Sequence, residues 1–332
     1  MIDQKQSGKS GQEDEYSPDE RIWRPVFPPG DPNNAHRIPS ETIRGLKKER
    51  LGLTPSDITL LRDNFSLTTW ILIGACLQSI FLSFFPFRYA CLPAIVILSW
   101  RTMSVFLQTV GVCENPNMKD VILGIFSVHH PTDLGKLEGE PSQKPMIVYH
   151  LNTRCNHPLG MFAPGFKEVA DMFTNMMVEL EKEPDKYRYR ISTPWIGRGG
   201  DRATSQELLT VFYFDTIEGV LRFAHSPVHR VAWEWWNANM SKYDYISMSH
   251  EMYEAKEEAS ETVYINFHRS GLSGQNVKLE DGSYIAPLVD ASEGQYKTTK
   301  GRLNMVDHGK GNDKYGHPGY KHARLYCPAM RG

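Results

Sequence analysis

Apolar and polar positions fall into separate blocks along the 332 residues, and the longest apolar block comes early. Leu67 to Phe85 carries no charge and reaches the roughly 20 residues needed to cross a bilayer core. Pro86 and Arg88 interrupt the run, which resumes from Tyr89 to Val110 with Arg101 as its single charge. The pattern predicts a transmembrane helical hairpin over 64–111, with Arg101 paired, turned to the partner helix or snorkelling. A buried helical hairpin in a soluble core is the competing reading. A cleaved signal peptide does not fit, because roughly 60 residues precede the run. Arg44, Lys47, Lys48, Arg50 and Arg62 precede the block, Lys119 and Lys136 follow it, and Arg88 alone lies in the turn. That asymmetry puts both ends in the cytoplasm. The expected location is therefore a membrane, that of the endoplasmic reticulum, with the folded domain facing the cytoplasm.

Beyond the hairpin the periodicity changes from segment to segment. Met146 to Leu151 is a short β-rich run, and Phe166 to Leu180 repeats apolar residues at a helical period. Tyr187 to Ser192 alternates as a half-exposed strand would, and Leu208 to Phe214 reads as a buried strand. Ile217 to Asn239 is helical with a restart inside it, Ser226 as N-cap and Pro227 at the first helical position. Tyr245 to Met252 is the last strand. The order is β-α-β-β-α-β, a ferredoxin-like α+β unit. The chain thus divides into a polar, Pro-rich arm (1–63) able to dock locally through Trp23, Val26 and Phe27, the hairpin (64–111), a connector (112–143), the α+β domain (144–271) and an irregular tail (272–332).

One four-stranded sheet with two helices has one covered face. The other, carrying Phe212 and Phe214 or their alternates, needs a cover, and two such sheets face to face would enclose a cavity. A homodimer is expected on that ground. A net charge of −2 with no basic stripe gives no basis for nucleic-acid binding. The five cysteines (Cys76, Cys91, Cys113, Cys155, Cys327) show no CxxC spacing and imply neither a disulfide framework nor a zinc site.

Over 157–271 and the residue on either side, the stretches NHPLGMFAPGF, LLTVFYFDTIEGVLRFAHSPVHRVAWEWW, SHEMYEA and ETVYINFHRSGL resemble a fungal monooxygenase-like family, once a domain of unknown function, that includes a fumagillin-pathway member. That family is similar to the antibiotic-biosynthesis monooxygenases, which form a dimeric α+β barrel. The resemblance implies oxidation of a secondary-metabolite intermediate, often without a prosthetic group and with O₂ as co-substrate. One departure is visible: Arg269-Ser270-Gly271 stands where the family pattern has Pro-Thr-Gly. The same fold carries haem enzymes and non-oxidative ones, so fold alone does not name the reaction.

The second helix carries the densest chemistry. Val228, Val231, Ala232 and Trp235 form one stripe; His229, Trp233 and Trp236 form another, with His225 one turn earlier. Two imidazoles beside two indoles suit a flat, oxidisable ligand, the histidines taking a phenolic or enolic proton. A tryptophan stripe is equally at home in a core or dimer interface, and the HxxxH pair has no evident third metal ligand. His250 shares a strand face with Ile246 and Met248, expected to be the buried side, as a base, an orienter or a structural histidine. Arg154, Asn156 and His157 follow the first strand, where they could meet an anionic or carbonyl oxygen; Asn156 could instead hold the turn. Trp195 and Arg198 lie in the Gly-rich loop between the middle strands as a candidate lid, and Phe212 is a candidate substrate contact. The sequence has no dinucleotide GxGxxG, P-loop, GxSxG elbow or cysteine-ligated haem signature.

The reading that follows is a membrane-anchored, cofactor-independent monooxygenase acting on an apolar metabolite. His225 or His229 is the base and Arg154 or Asn156 the oxyanion partner. A haem or non-oxidative enzyme (dehydratase, cyclase) on this fold, and a membrane-bound metabolite binder, are its rivals. The intact protein is expected to stay in the membrane pellet through an alkaline carbonate wash and to be released by detergent; release by high salt alone would remove the anchoring claim.

Overall fold

A computed structural model describes residues 22–41, 61–197 and 207–304. Arg44, Lys47, Lys48, Arg50, Arg198 and Cys327 lie outside the described residues. The apolar block forms two helices, α1 (Leu67–Phe84) and α2 (Leu92–Thr109), separated by a helical turn at Phe87–Ala90. Ser66 caps α1 by accepting a hydrogen bond from the Thr69 amide at 3.3 Å. Each helix has 18 residues and is apolar enough to cross a membrane, about 27 Å at the α-helical rise. Neither helix has a buried residue, which is not how a hairpin in a soluble core would sit.

The chain continues as β1 (Val121–Val128), β2 (Met146–Cys155), α3 (Phe166–Lys182), β3 (Tyr189–Gly197), β4 (Glu207–Phe214), α4 (Ile217–Ala224), α5 (Pro227–Asn239), β5 (Ile246–Ala255), β6 (Tyr264–His268), β7 (Val277–Lys278), β8 (Tyr284–Ile285) and β9 (Leu288–Asp290). Strands β3-β4-β2-β5 form an antiparallel sheet in the order of a ferredoxin-like unit. The restart holds: Ser226 caps α5 through the His229 amide at 3.4 Å, with Pro227 opening the helix.

Period-two alternation along β2 decides what each face contains. Ile147, Tyr149 and Leu151 join Phe212, Phe214, Tyr189, Met177, Leu180, Tyr187 and Val220 in the core beneath α3 and α4. Phe212 and Phe214 therefore lie on the helix side, and their alternates Val211 and Tyr213 take the far face, opposite His150 and Val148. The expected strand Tyr187–Ser192 begins later. Pro184–Tyr187 is a helical turn, and Arg188 takes a left-handed φ of 51° before β3 starts. There α4 crosses so closely that a Cβ on Gly219 would sit 2.3 Å from the Tyr187 carbonyl, which leaves room for glycine alone. Tyr189 to Thr193 are all buried, because β3 is covered on both faces.

Part of the far-face cover comes from the chain itself. The Gly271 amide donates to Thr193 Oγ1 at 3.1 Å, and a Cβ on Gly274 would lie 3.0 Å from Ile191 Cδ1. This turn follows β6, which pairs with β1, which in turn pairs with β9. The expected connector thus contributes a strand, and the expected irregular tail is ordered over 272–304, burying Leu272, Leu288, Val289 and Tyr296. The reason is the N-terminal arm. Its Val26 amide donates to Leu288 O at 2.9 Å, and the Asp290 amide donates back to Arg24 O at 3.0 Å. Trp23 is only 6% exposed, donates Nε1–H to Gly139 O at 2.8 Å and meets Tyr296 edge-on at 4.8 Å. Downstream, Arg37 pairs with Glu181 of α3 at 3.1 Å. The arm and the C-terminal segment form one layer, polar on average but with enough buried aromatics to order it.

Trp23→Ala should therefore behave as a core deletion, costing about 3–5 kcal/mol and lowering the melting temperature by roughly 10 °C. A scanning calorimetry shift under a couple of degrees would show that the arm is dispensable.

Candidate active site

Three imidazoles come together on the helix side of the main sheet. His229 projects from α5 and meets Phe223 edge-on at 5.7 Å. His250 lies on β5 directly across from Leu151 and stacks on Tyr149, centroids 5.5 Å apart and 16° from parallel. His225, at the end of α4, donates Nδ1–H to the Leu221 carbonyl at 2.7 Å, which leaves Nε2 without that partner. Burial pushes the His229 pKa down, a hydrogen bond to the Ala224 carbonyl partly opposes this, and the neighbouring His225 and His250 lower it further. His229 is thus held neutral at physiological pH. Burial also raises the Tyr149 phenol, so Tyr149 stays a proton donor.

The side expected to bury His250 does not do so. Met248, His250 and Met252 share the helix face of β5, yet all are exposed, because β5 is the edge strand and the core beneath α3 and α4 is built on β2, β3 and β4. The candidate cleft is this open strip of the helix face, where Tyr149 and Leu151 of β2 lie beside Met248, His250 and Met252 of β5, with the His229–Phe223 pair on the helix side.

The other candidates separate. Trp233 points to solvent at 61% exposure, while Trp236 packs with Phe166, Val169, Ile246 and Trp235 at the Cys155 end of the sheet. Trp233 does not join His229 in one wall, because the α5 face toward the protein runs through Val228, His229, Ala232, Trp235, Trp236 and Asn239 and Trp233 lies off it. Phe212 is 4% exposed and belongs to the core rather than to a substrate surface. Arg154 falls on the far face, where it donates to Glu207 at 3.1 Å. Asn152 joins it, donating Nδ2–H to the other Glu207 oxygen at 2.7 Å. Asn152 Oδ1 and Arg154 Nε are buried there without partners. Trp195, 56% exposed, lies on the same far face, away from the imidazoles. Asn156 donates to Ser247 Oγ at 2.7 Å, and His157 Nδ1 accepts from the Leu159 amide at 3.1 Å, so both fasten the turn after β2. Among the described residues no three His, Cys, Asp or Glu side chains are arranged to hold a metal ion.

A polar recess elsewhere, lined by His129, His130, Lys144 and Arg302, has its own internal partners. Arg302 donates to Glu261 and to the Tyr296 carbonyl, and His129 bonds Tyr296 and the Glu138 carbonyl. Tyr149, Phe223, Met248 and Met252 are the cleft residues that sequence reasoning missed. Alternation put Tyr149 and Leu151 on one face, but the register that sets them against β5 is a long-range pairing.

A family described as Monooxygenase af470-like matches residues 146–272, from the first residue of β2 to the turn after β6. Monooxygenase af470 of Aspergillus fumigatus is 32% identical over 271 residues, covering 79% of this chain and 96% of that protein. The chain belongs to the Monooxygenase af470-like family. It is accordingly an oxidoreductase enzyme, and the ferredoxin-like sheet is the framework of a monooxygenase. Among solved structures, aldoxime dehydratase (OxdRE) in complex with butyraldoxime is 11% identical with a TM-score of 0.33; the match spans 41% of this chain and 41% of the dehydratase. SnoaB, a cofactor-independent oxygenase from Streptomyces nogalater, is 11% identical with a TM-score of 0.23, over 32% of this chain and 90% of that one. The family assignment rests on the Aspergillus relative.

The lowered His229 pKa of this monooxygenase carries a sign. The unfolded chain takes up the proton first, so stability present above the ordinary histidine pKa of about 6.5 is lost as pH falls through the lower folded value. Thermal scans should give a melting temperature that drops from pH 7 to pH 5, and drops less in His229→Asn. Equal drops in the two proteins would contradict the assigned environment of His229.

Proposed function

We propose that this protein is a membrane-tethered, cofactor-independent monooxygenase that oxidises an apolar secondary-metabolite intermediate with O₂. The observation that carries the reading is the meeting of His225, His229 and His250 on the open helix face, with His250 stacked on Tyr149. His229, held neutral, removes a proton from an activated C–H or phenol of the substrate. The resulting anion passes one electron to O₂, and the radical pair recombines into a peroxide. The first proton returns to the peroxide to give a hydroperoxide; for a CH₂ centre, loss of the second C–H proton to a histidine then expels hydroxide from the O–O bond, leaving C=O, and the hydroxide takes that second proton as water. The Tyr149 phenol donates to the developing oxyanion, the role first expected of Arg154 or Asn156.

The finer parts of the reading have their own support. The two apolar helices, each uncovered by the rest of the chain, support a hairpin in the bilayer; Arg62 and Lys119 at its flanks support a cytoplasmic domain. The exposed Trp195 and Tyr253 and the orphaned Asn152 Oδ1 and Arg154 Nε on the far face support a second copy there as cover. The dimer thus protects the sheet rather than forming the catalytic cleft.

His229→Ala should reduce turnover per folded molecule by about 10²-fold or more, with His250→Ala and Tyr149→Phe each costing less. His157→Ala and Trp195→Ala should leave chemistry largely intact. Unchanged turnover in His229→Ala would remove the proposed base. The purified protein should show no band near 400 nm; a stoichiometric Soret band lost on mutating one of the three histidines would replace the cofactor-free mechanism with a haem one.

A further inference from the structure

One end of the α+β domain is bound directly to the foot of the hairpin. Asn64, buried just before α1, accepts a hydrogen bond from the Met161 amide at 2.9 Å and donates to the Leu159 carbonyl at 3.4 Å. Both partners lie in the turn after β2. The Phe65 ring stands between Phe162 of that turn, 6.4 Å away, and Trp70 of α1, 5.7 Å away. Trp70 donates its indole N–H to the Arg62 carbonyl at 2.9 Å, which closes the junction on the helix side.

The turn held in this way does not hide its apolar side chains. Leu159 is 53% exposed and Phe162 54%, and Leu67 beside them is also exposed. The segment after α5 returns to the same turn: Tyr243 packs against Gly165 at the start of α3 and His157 packs on Tyr245, and Met240, where α5 ends, is exposed. The patch is continuous with α1, whose apolar side chains begin at Leu67. Lys167 pairs with Asp171 and Arg62 with Asp63, while the Lys242 ammonium lies over the Tyr243 ring. Aromatic and aliphatic residues of this kind, next to a spanning helix, are the composition of a membrane–water interface.

We propose that this end of the domain is a second membrane contact, a foot of Leu159, Phe162 and Met240 seated in the interfacial layer of the bilayer beside the hairpin. The proposal rests on the hairpin reading above. Lipid is the occupant, because the patch is fastened to the base of the spanning helix and reaches the headgroup layer wherever that helix is inserted. The seating is driven by apolar burial, so it needs no anionic headgroup. It also orients the cleft. Strand β5 begins at Ile246 in this foot, so Met248, His250 and Met252 stand at increasing height above the bilayer. A substrate dissolved in lipid reaches the imidazoles along that methionine-lined edge.

The test uses the full-length protein in phosphatidylcholine vesicles, with a fluorescent amino acid in place of Phe162 or, as control, of Glu257 beyond the other end of β5, roughly 30 Å away along the strand. Brominated phosphatidylcholine should quench the label at 162 roughly twofold or more over the label at 257, and high salt should not change it. Asn64→Ala should reduce the quenching at 162 while the protein stays in the carbonate-washed pellet. Equal quenching at the two positions in carbonate-resistant protein overturns the foot and leaves the hairpin standing. Release by carbonate overturns both.

Discussion

The pleat of β2 is the constraint on which the rest depends. As the central strand it bonds to β4 on one side and β5 on the other over its length, so a slip of one residue would exchange its two faces. In the observed register Ile147, Tyr149 and Leu151 meet the helices, and His150, Asn152 and Arg154 meet whatever covers the far face. Tyr149 at once closes the core against Phe212 and offers a stacking surface to His250. Stability and the candidate chemistry are thereby tied to the same hydrogen-bond ladder.

The cleft exists because the helices do not reach the edge of the sheet. Tyr187, Gly219 and Val220 draw α4 down over the β3 side, and α5, restarting at Ser226-Pro227, packs against α3 through Trp235 and Trp236. What lies outboard, the helix face of β5 beyond the buried Ile246, carries Met248, His250 and Met252. Methionine adapts to varied apolar shapes at such an edge. An edge strand left open would ordinarily invite pairing with another chain, and the charges on it, Glu251 and Glu254, oppose that.

The arm and the C-terminal layer show how a polar segment can be ordered without a core of its own. Trp23, Tyr296 and Leu288 are each too isolated in sequence to give a periodic signal, yet backbone bonds between Val26 and Leu288 and between Asp290 and Arg24 set Trp23 and Tyr296 in one small cluster with Val289 and Leu288 in another with Phe126 and Ala286. The same layer lays the turn Gly271–Gly274 over Thr193 and Ile191, so β3 is buried on both faces and its alternating sequence is not matched by alternating exposure. Arg190, which alternation would send to solvent, is buried with Asp215, His130 and the Pro145 carbonyl as partners.

What the amino-acid order determined by itself was everything local: the two long apolar helices, the strand and helix sequence of the α+β unit, the Ser226-Pro227 restart and the clustering of histidine and tryptophan on the second helix. These follow from interactions over a few residues, namely hydrophobic period, capping and backbone φ. Only the tertiary structure decided which histidine meets which partner. His250 joins His229 because β5 pairs with β2 in one register, Arg154 leaves them because it is one residue out of phase, and Trp233 turns outward because α5 rolls onto Trp235. The order of 272–304 was likewise decided at long range, by an arm about 250 residues earlier in the chain. Pairings between such distant segments leave no periodic trace in either one, since each segment alone buries too little apolar surface to be ordered.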